Sequence, residues 1–168
     1  MSRVITFSRT FPAYHPKAGQ PTFGDDWSDA PGDASAYVVE LSEFVRGIKN
    51  QTIRAGHRFK VGDKFSPRVW SGKPYNSKQI IIAPDIEVKK IFDFKITTEA
   101  NSEMRDDLSN FLYINSKLVM NNQYELLAAN DGLTVTDMCD WFKIVFEDGY
   151  KHTAFSGQII CWNENVNY

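Results

Sequence analysis

Lys49 and Thr52 lie three positions apart, and their types and spacing suit nucleophilic chemistry. A hydroxyl is a weak nucleophile until a neighbouring base takes its proton, and a desolvated lysine beside other cations can be neutral enough to do so. Arg54 adds a forked set of donors that suits a carboxylate, a phosphate or a base edge. A helical turn would place Lys49 and Thr52 on one side, whereas an extended segment would place them on opposite faces.

The same residues also have a structural interpretation that their spacing leaves open. Lys49 would then be a solvated cation at the C-terminal end of a helix. Thr52 and Arg54 would be surface residues of a strand. The three histidines, His15, His57 and His152, are scattered without the spacing of metal ligands. We therefore expect no metal site and no cofactor.

A strongly basic segment runs from Arg46 to Lys78. It contains nine cations and one acid, so its net charge is +8 in a chain whose net charge is only −2. This asymmetry predicts one electropositive face, with a solvated strand surface as the alternative. Aromatic side chains between cations also fit a platform for stacking bases beside phosphate contacts, or simple packing. The predicted ligand-binding residues are Arg54, His57, Arg58, Arg68, Trp70, Lys73 and Tyr75.

Alternation and helical periodicity predict the elements that must position these residues. Asp33 or Ser35 is predicted to cap the first helix, and Asp131-Gly132 to end the second. Pro67 disfavours a central place in a sheet for its strand. Strands are predicted over residues 3–8, 64–70, 79–83, 86–96, 110–120 and 158–162, and helices over 35–48 and 124–130 and from Thr134 or Thr136.

This order of elements predicts one α+β domain over residues 1–168. A long loop at about 12–35 is inserted after the first strand, and loops of that length are usually functional or disordered. The connections between strands are too short for parallel crossovers. We therefore expect a small, mostly antiparallel β-barrel with peripheral helices.

The segment Gly47-x-Lys49-x-x-Thr52-x-Arg54, followed by Gly62-Asp63, resembles the signature of the ASCH domain, a branch of the PUA-like superfamily. Residues 127–138 resemble a helix–acid–turn–helix stretch of ASCH amidohydrolases that act on N4-acetylcytidine. The resemblance implies a PUA-like barrel whose basic end holds a nucleoside. It also implies that Lys49 is the base, Thr52 the nucleophile and Asp131 the acid partner, where the family has glutamate. The Asn-Asp-Gly sequence around Asp131 is also an ordinary helix stop.

Three functions remain open at this point. The first is an amidohydrolase that removes the acetyl group from N4-acetylcytidine-like nucleosides. The second is a non-catalytic RNA-binding module, or a ribonuclease using Lys49, Arg54 and His57, with a nucleotide or single-stranded RNA as partner. The third is an adaptor that binds proteins through aromatic surface. The two cysteines form no CxxC pair and no apolar run approaches a membrane span of ~20 residues, so we expect a soluble, cytoplasmic protein.

Overall fold

The structure is a computed structural model that describes residues 2–8, 11–20, 47–97, 111–142 and 154–168. The predicted first helix lies outside these residues except for its end at Gly47, and the long loop is described only up to residue 20. The elements, in chain order, are β1 (Arg3–Phe7), β2 (Gln51–Ala55), β3 (Lys64–Trp70), β4 (Gln79–Ile81), β5 (Ile86–Glu87), β6 (Lys90–Thr97), β7 (Phe111–Ile114), β8 (Lys117–Leu118), α1 (Asn121–Asn130), α2 (Val135–Trp141) and β9 (Phe155–Cys161).

The described strands form two sheets. One has the order β1-β3-β4, with β5 also paired to β3, and the other has the order β2-β9-β6-β7-β8. All pairs are antiparallel except β1 with β3, so the predicted α+β class with mostly antiparallel strands is confirmed, although one parallel pair was not expected. The two sheets are not closed into a barrel in the described part of the chain. The PUA-like barrel therefore stays a prediction.

Strand β9 shows how the layers stack, because successive side chains of a strand point to opposite faces. Ile159 belongs to a buried cluster that includes Leu127 and Met138 of the two helices. Ile160 belongs to a second cluster that includes Phe65 of the other sheet. The five-stranded sheet is therefore the middle layer, with helices on one face and the four-stranded sheet on the other.

Pro67 lies in the central strand of the four-stranded sheet, so the expectation that it would avoid this place was wrong. Its carbonyl accepts a hydrogen bond from Ile82 N at 3.1 Å. The N–H and C=O of one strand residue point to the same side, so the missing N–H also faces this side. Pro67 and Ile82 continue the register of Arg68 with Ile81, so an N–H at this position would have donated to Ile82 O. One ladder bond is therefore missing, at the point where β4 ends.

Two further predictions concern local turns. The predicted strand over 110–120 is a hairpin of β7 and β8, because Asn115 and Ser116 have φ values of 49° and 64°. Positive φ at two central residues is the pattern of a two-residue type I′ turn. Thr134 caps α2 as predicted, since its side chain accepts a hydrogen bond from Asp137 N at 3.1 Å. None of the described helices is long and apolar enough to cross a membrane.

Candidate functional site

A cavity of about 220 Å³ lies where the edge strands of the two sheets meet. Strand β1 is an edge strand of one sheet and β2 is an edge strand of the other, and residues from both strands line the cavity. The loop after β3 and the region of the two helices supply the other walls. The lining residues are Thr6, Phe7, Ser8, Lys49, Thr52, Ile53, Arg54, Trp70, Pro74, Tyr75, Asp131, Leu133, Trp141 and Phe142.

Strand β2 delivers Thr52 and Arg54 to the cavity through its alternation. Ile53 packs in the cluster beneath the helices, so its two neighbours point to the other face of the sheet. Lys49 precedes the strand, and the alternation of β2 does not apply to it. Lys49 and Thr52 therefore line one cavity although the segment is extended rather than a helical turn.

Asp131 enters the cavity from the end of α1. Its N–H bonds to Ala128 O, the N–H of Gly132 to Ala129 O and that of Leu133 to Ala128 O, each within 3.0 Å. Gly132 has a φ of 75°, which completes a Schellman motif. Asp131 is thus both the helix stop and a cavity residue, so its two interpretations are compatible.

Lys49 and Asp131 form a buried ion pair. The ammonium donates to Oδ1 of Asp131, and to its backbone oxygen at 2.5 Å. Only 7% of the Lys49 side chain and 8% of the Asp131 side chain are exposed. Burial lowers the pKa of Lys49 and raises the pKa of Asp131, and the attraction within the pair opposes both changes. Burial therefore brings the pKa values of the two groups closer together, which favours exchange of a proton between Lys49 and Asp131.

Arg54 spans the gap between β1 and β2. Its Nη2 donates to the Thr6 carbonyl at 2.6 Å, and its guanidinium lies 5.6 Å from the centre of the Phe7 ring. Lys49 Nζ lies over the same ring at 5.9 Å. Burial lowers the pKa of Arg54, while the charge of Asp131 raises it. The Nε atom is buried and makes no hydrogen bond within the described structure. This N–H can therefore donate a hydrogen bond to an oxygen atom of a ligand.

Aromatic rings form much of the remaining wall. Trp70 and Tyr75 lie with ring centres 5.3 Å apart and planes tilted by 50°. Tyr75 is 87% exposed and has a φ of 65°, a conformation that costs a side-chain-bearing residue roughly 1–2 kcal/mol. Trp141 and Phe142 come from the end of α2. Such a wall suits a flat apolar body, and the polar groups suit its substituents.

Four predicted ligand-binding residues do not line the cavity. His57 faces Asp93, with Nε2 3.4 Å from Oδ1. Arg68 donates to Ser66 Oγ and to Gln79 Oε1, each at 3.2 Å. Arg58 and Lys73 are exposed, and the Lys73 carbonyl closes the loop after β3. Their roles as ligand contacts stay predictions for a larger surface ligand such as RNA.

Phe7 and the aromatic pair of α2 were missed by the sequence reasoning. Phe7 alternates in a strand like any core residue, and it is only 3% exposed. Trp141 and Phe142 follow one helical turn after Asp137, where apolar residues usually face a core. A usable signal for this pair was the aromatic doublet at a helix end, close in sequence to the predicted acid.

Metal-binding and thiol chemistry gain no support from the described residues. They contain no group of three or more His, Cys, Asp or Glu that could hold a metal ion. Cys139 and Cys161 are free thiols, and burial raises the pKa of Cys161 to about 12, so its reactive thiolate form is suppressed. No protein family, curated protein or solved structure matches this chain.

Proposed function

We propose that this protein is an ASCH-type amidohydrolase that removes an acetyl group from the base of an N4-acetylcytidine-like nucleoside. One observation carries the proposal: Lys49, Thr52 and Asp131 line a single cavity although Asp131 is 82 positions from Lys49. A nucleophile, a base and an acid that share a site are groups with which acyl transfer can proceed.

The protonation states open to Lys49 and Asp131 support this chemistry. Transfer of a proton from Lys49 Nζ to Asp131 Oδ1 leaves a neutral amine and a carboxylic acid. Burial favours these neutral forms over the two charges. The amine then accepts the proton of the Thr52 hydroxyl while Oγ attacks the acetyl carbon. The C–N bond breaks, and the leaving nitrogen takes the proton held by Asp131.

The second half of the reaction regenerates the enzyme. The product of the first half is an acetyl ester on Thr52 and a free amino group on the base. After the pair exchanges its proton again, Lys49 takes a proton from water, whose oxygen attacks the ester carbon. Asp131 returns a proton to Thr52 Oγ, and acetic acid leaves.

Arg54 supplies the electrostatic part of the mechanism. The acetyl oxygen gains negative charge as Oγ attacks, and the buried Nε–H of Arg54 has no partner in the described structure. A donor aimed at developing charge in a site shielded from water contributes on the order of 3 kcal/mol to transition-state stabilisation. The rings of Trp70 and Tyr75 suit stacking against the base.

The experiment is release of cytidine from N4-acetylcytidine, followed by chromatography. Lys49→Met and Thr52→Val should each abolish release, and the double variant should be no worse than either, because residues that act as a unit are not additive. Lys60→Met is the matched control, since Lys60 is an exposed lysine of the same basic segment. Absence of release by the unmodified protein, or loss of release in Lys60→Met, contradicts the proposal.

A second candidate is a non-catalytic RNA-binding module. Lys49 is engaged with Asp131, and no hydrogen bond joins it to Thr52 in the described structure, as a binding-only site would allow. RNA affinity would then fall steeply with salt, with a slope of about −0.7 per phosphate contacted. A gel shift with single-stranded RNA that is absent or insensitive to salt contradicts this function. The ribonuclease variant gains no support, because His57 lies outside the cavity.

A further inference from the structure

The last turn of α1 is bound by the chain that enters β2. The last four carbonyls of a helix have no partner within the helix, so other groups must satisfy them. The backbone N–H of Asn50 donates to Asn130 O at 2.8 Å. The side chain of Gln51 donates from Nε2 to Leu127 O at 3.1 Å. The turn that presents Asp131 is thus held by the two residues after Lys49.

Gln51 is fully buried and its amide is satisfied at both ends. Its Oε1 accepts from the Tyr168 hydroxyl, and lies 3.8 Å from Cys161 Sγ. The Tyr168 hydroxyl in turn accepts from Asn130 Nδ2 at 3.2 Å. Gln51 therefore contacts the last turn of α1 directly through Leu127 and indirectly through Asn130. A buried amide placed among apolar side chains is costly unless all its bonds are made, which favours one geometry.

We propose that Gln51 is a positioning residue for Asp131: it holds the last turn of α1 where the Asp131 carboxylate meets Lys49. Gln51 does not line the cavity, so it acts through Asp131 and not on a ligand. Its side chain points toward the helices, while Thr52 points to the cavity. The kinetic consequence of this role rests on the proposed function, whereas the geometric consequence does not.

The chain offers a matched control in Gln158. This second buried glutamine lies in β9 and is 6% exposed. Its side chain bonds to the main chain of Phe59 in both directions, at 3.0 and 3.1 Å. Methionine at either position keeps the length of the side chain and removes its hydrogen bonds. We expect Gln51→Met and Gln158→Met to lose comparable stability, but only Gln51 bonds to the helix turn that presents Asp131.

The kinetic test compares Gln51→Met with Gln158→Met in hydrolysis of N4-acetylcytidine. We expect Gln51→Met to lower kcat on the order of 100-fold at nearly constant KM, because a small displacement of a catalytic group has this effect. Its pH–rate profile should also shift, whereas Gln158→Met should keep the profile of the unmodified protein. Equal effects of the two substitutions would overturn the proposal.

A second test needs no activity and separates this proposal from the proposed function. The Asp131 carboxyl carbon is titrated by NMR in the unmodified protein and in both variants. We expect its titration midpoint to move in Gln51→Met and to stay in place in Gln158→Met. An unmoved midpoint in Gln51→Met overturns the positioning role. Absence of turnover by the unmodified protein defeats the proposed function alone.

Tyr168→Phe covers the case in which Gln51→Met does not fold. It removes the hydroxyl shared by Gln51 and Asn130, while the ring can keep its contact with Phe92, whose centre lies 5.2 Å away. We expect the Asp131 midpoint to move in the same direction by a smaller amount. An Asp131 titration identical to that of the unmodified protein overturns the proposal.

Discussion

Lys49 and Asp131 are separated by 82 positions and form a buried ion pair at the end of α1. The lysine side chain donates to both the carboxylate and the backbone oxygen of the aspartate. It therefore offsets the negative charge of the carboxylate and of the helix C-terminus at once. The pair links the segment before β2 to α1, and the cavity lies beside this link.

Replacing one member of the Lys49–Asp131 pair should destabilise the protein more than replacing both members. Lys49→Met or Asp131→Leu leaves an uncompensated buried charge, and we expect each to lower the free energy of unfolding by about 3–5 kcal/mol. The double variant should recover much of this loss, because neither member of the pair is left buried without the other. Urea unfolding of the two single variants and the double variant measures the effect. A double variant less stable than either single one would contradict this account of the pair.

The contribution of the pair to stability should depend on pH in a defined way. Burial raises the pKa of Asp131 above 3.8 and lowers the pKa of Lys49 below 10.5. Between 3.8 and its folded pKa, Asp131 binds more protons folded than unfolded, so stability falls as pH rises. Between its folded pKa and 10.5, Lys49 binds fewer protons folded than unfolded, so stability rises with pH.

The stability of the unmodified protein relative to the Lys49→Met/Asp131→Leu variant should therefore pass through a minimum between these two windows. Thermal unfolding of both proteins, from below 3.8 to above 10.5, provides the comparison. A maximum in the difference, or no dependence on pH, would show that burial does not control the two groups.

Tyr75 should lower the stability of the protein and strengthen the binding of a nucleoside. Its φ of 65° is costly for tyrosine and free for glycine, so Tyr75→Gly should leave stability unchanged or raise it by about 1 kcal/mol. The loss of a stacking ring should weaken nucleoside binding by about 1–3 kcal/mol. Tyr75→Phe keeps the ring and should retain affinity. Calorimetric titration and urea unfolding test this, and undiminished affinity in Tyr75→Gly would remove Tyr75 from the binding site.

His15 should be the principal anchor of the segment 11–20 on α2. It is 3% exposed, its Nδ1 accepts from Lys17 N at 3.0 Å, and its Nε2 lies 3.2 Å from Asp137 O. His15→Phe keeps an aromatic ring against Phe11 but removes the acceptor of Lys17 N and the contact with Asp137 O, which together should cost about 1–3 kcal/mol. Lys17→Met removes a half-exposed ion pair with Asp137 and should cost less than about 1 kcal/mol. The reverse order in urea unfolding would refute this assignment.

The parts of the fold that could be predicted are those where local pattern dominates. The β-forming residues Phe65, Val69 and Trp70 located β3 at its observed bounds of Lys64–Trp70. Capping chemistry gave Thr134 or Thr136 as the start of α2, and the structure has Thr134. The position of Pro67 was mispredicted because it depends on a gap between β4 and β5, two strands that follow it in the chain. Such a gap is a tertiary feature that no local pattern carries.

The residues of the site also fall into those that the local sequence identifies and those that it does not. Lys49, Thr52 and Arg54 were identified from type and spacing, and Asp131 from a resemblance, because polar residues in short motifs stand out. Phe7 did not stand out, because periodicity cannot distinguish a ring that packs in the core from one that also lies under two cations. The pairing of Lys49 with Asp131 depends on where α1 ends relative to β2, and sequence spacing does not contain that distance.

The central claim is that Thr52 is the nucleophile of an amide hydrolysis. The most direct measurement is cytidine release from N4-acetylcytidine by the unmodified protein and by Thr52→Val, which keeps the shape of the side chain and removes its hydroxyl. We expect release by the unmodified protein and none above the uncatalysed background in Thr52→Val. Equal release by both proteins, or release by neither, would contradict the claim.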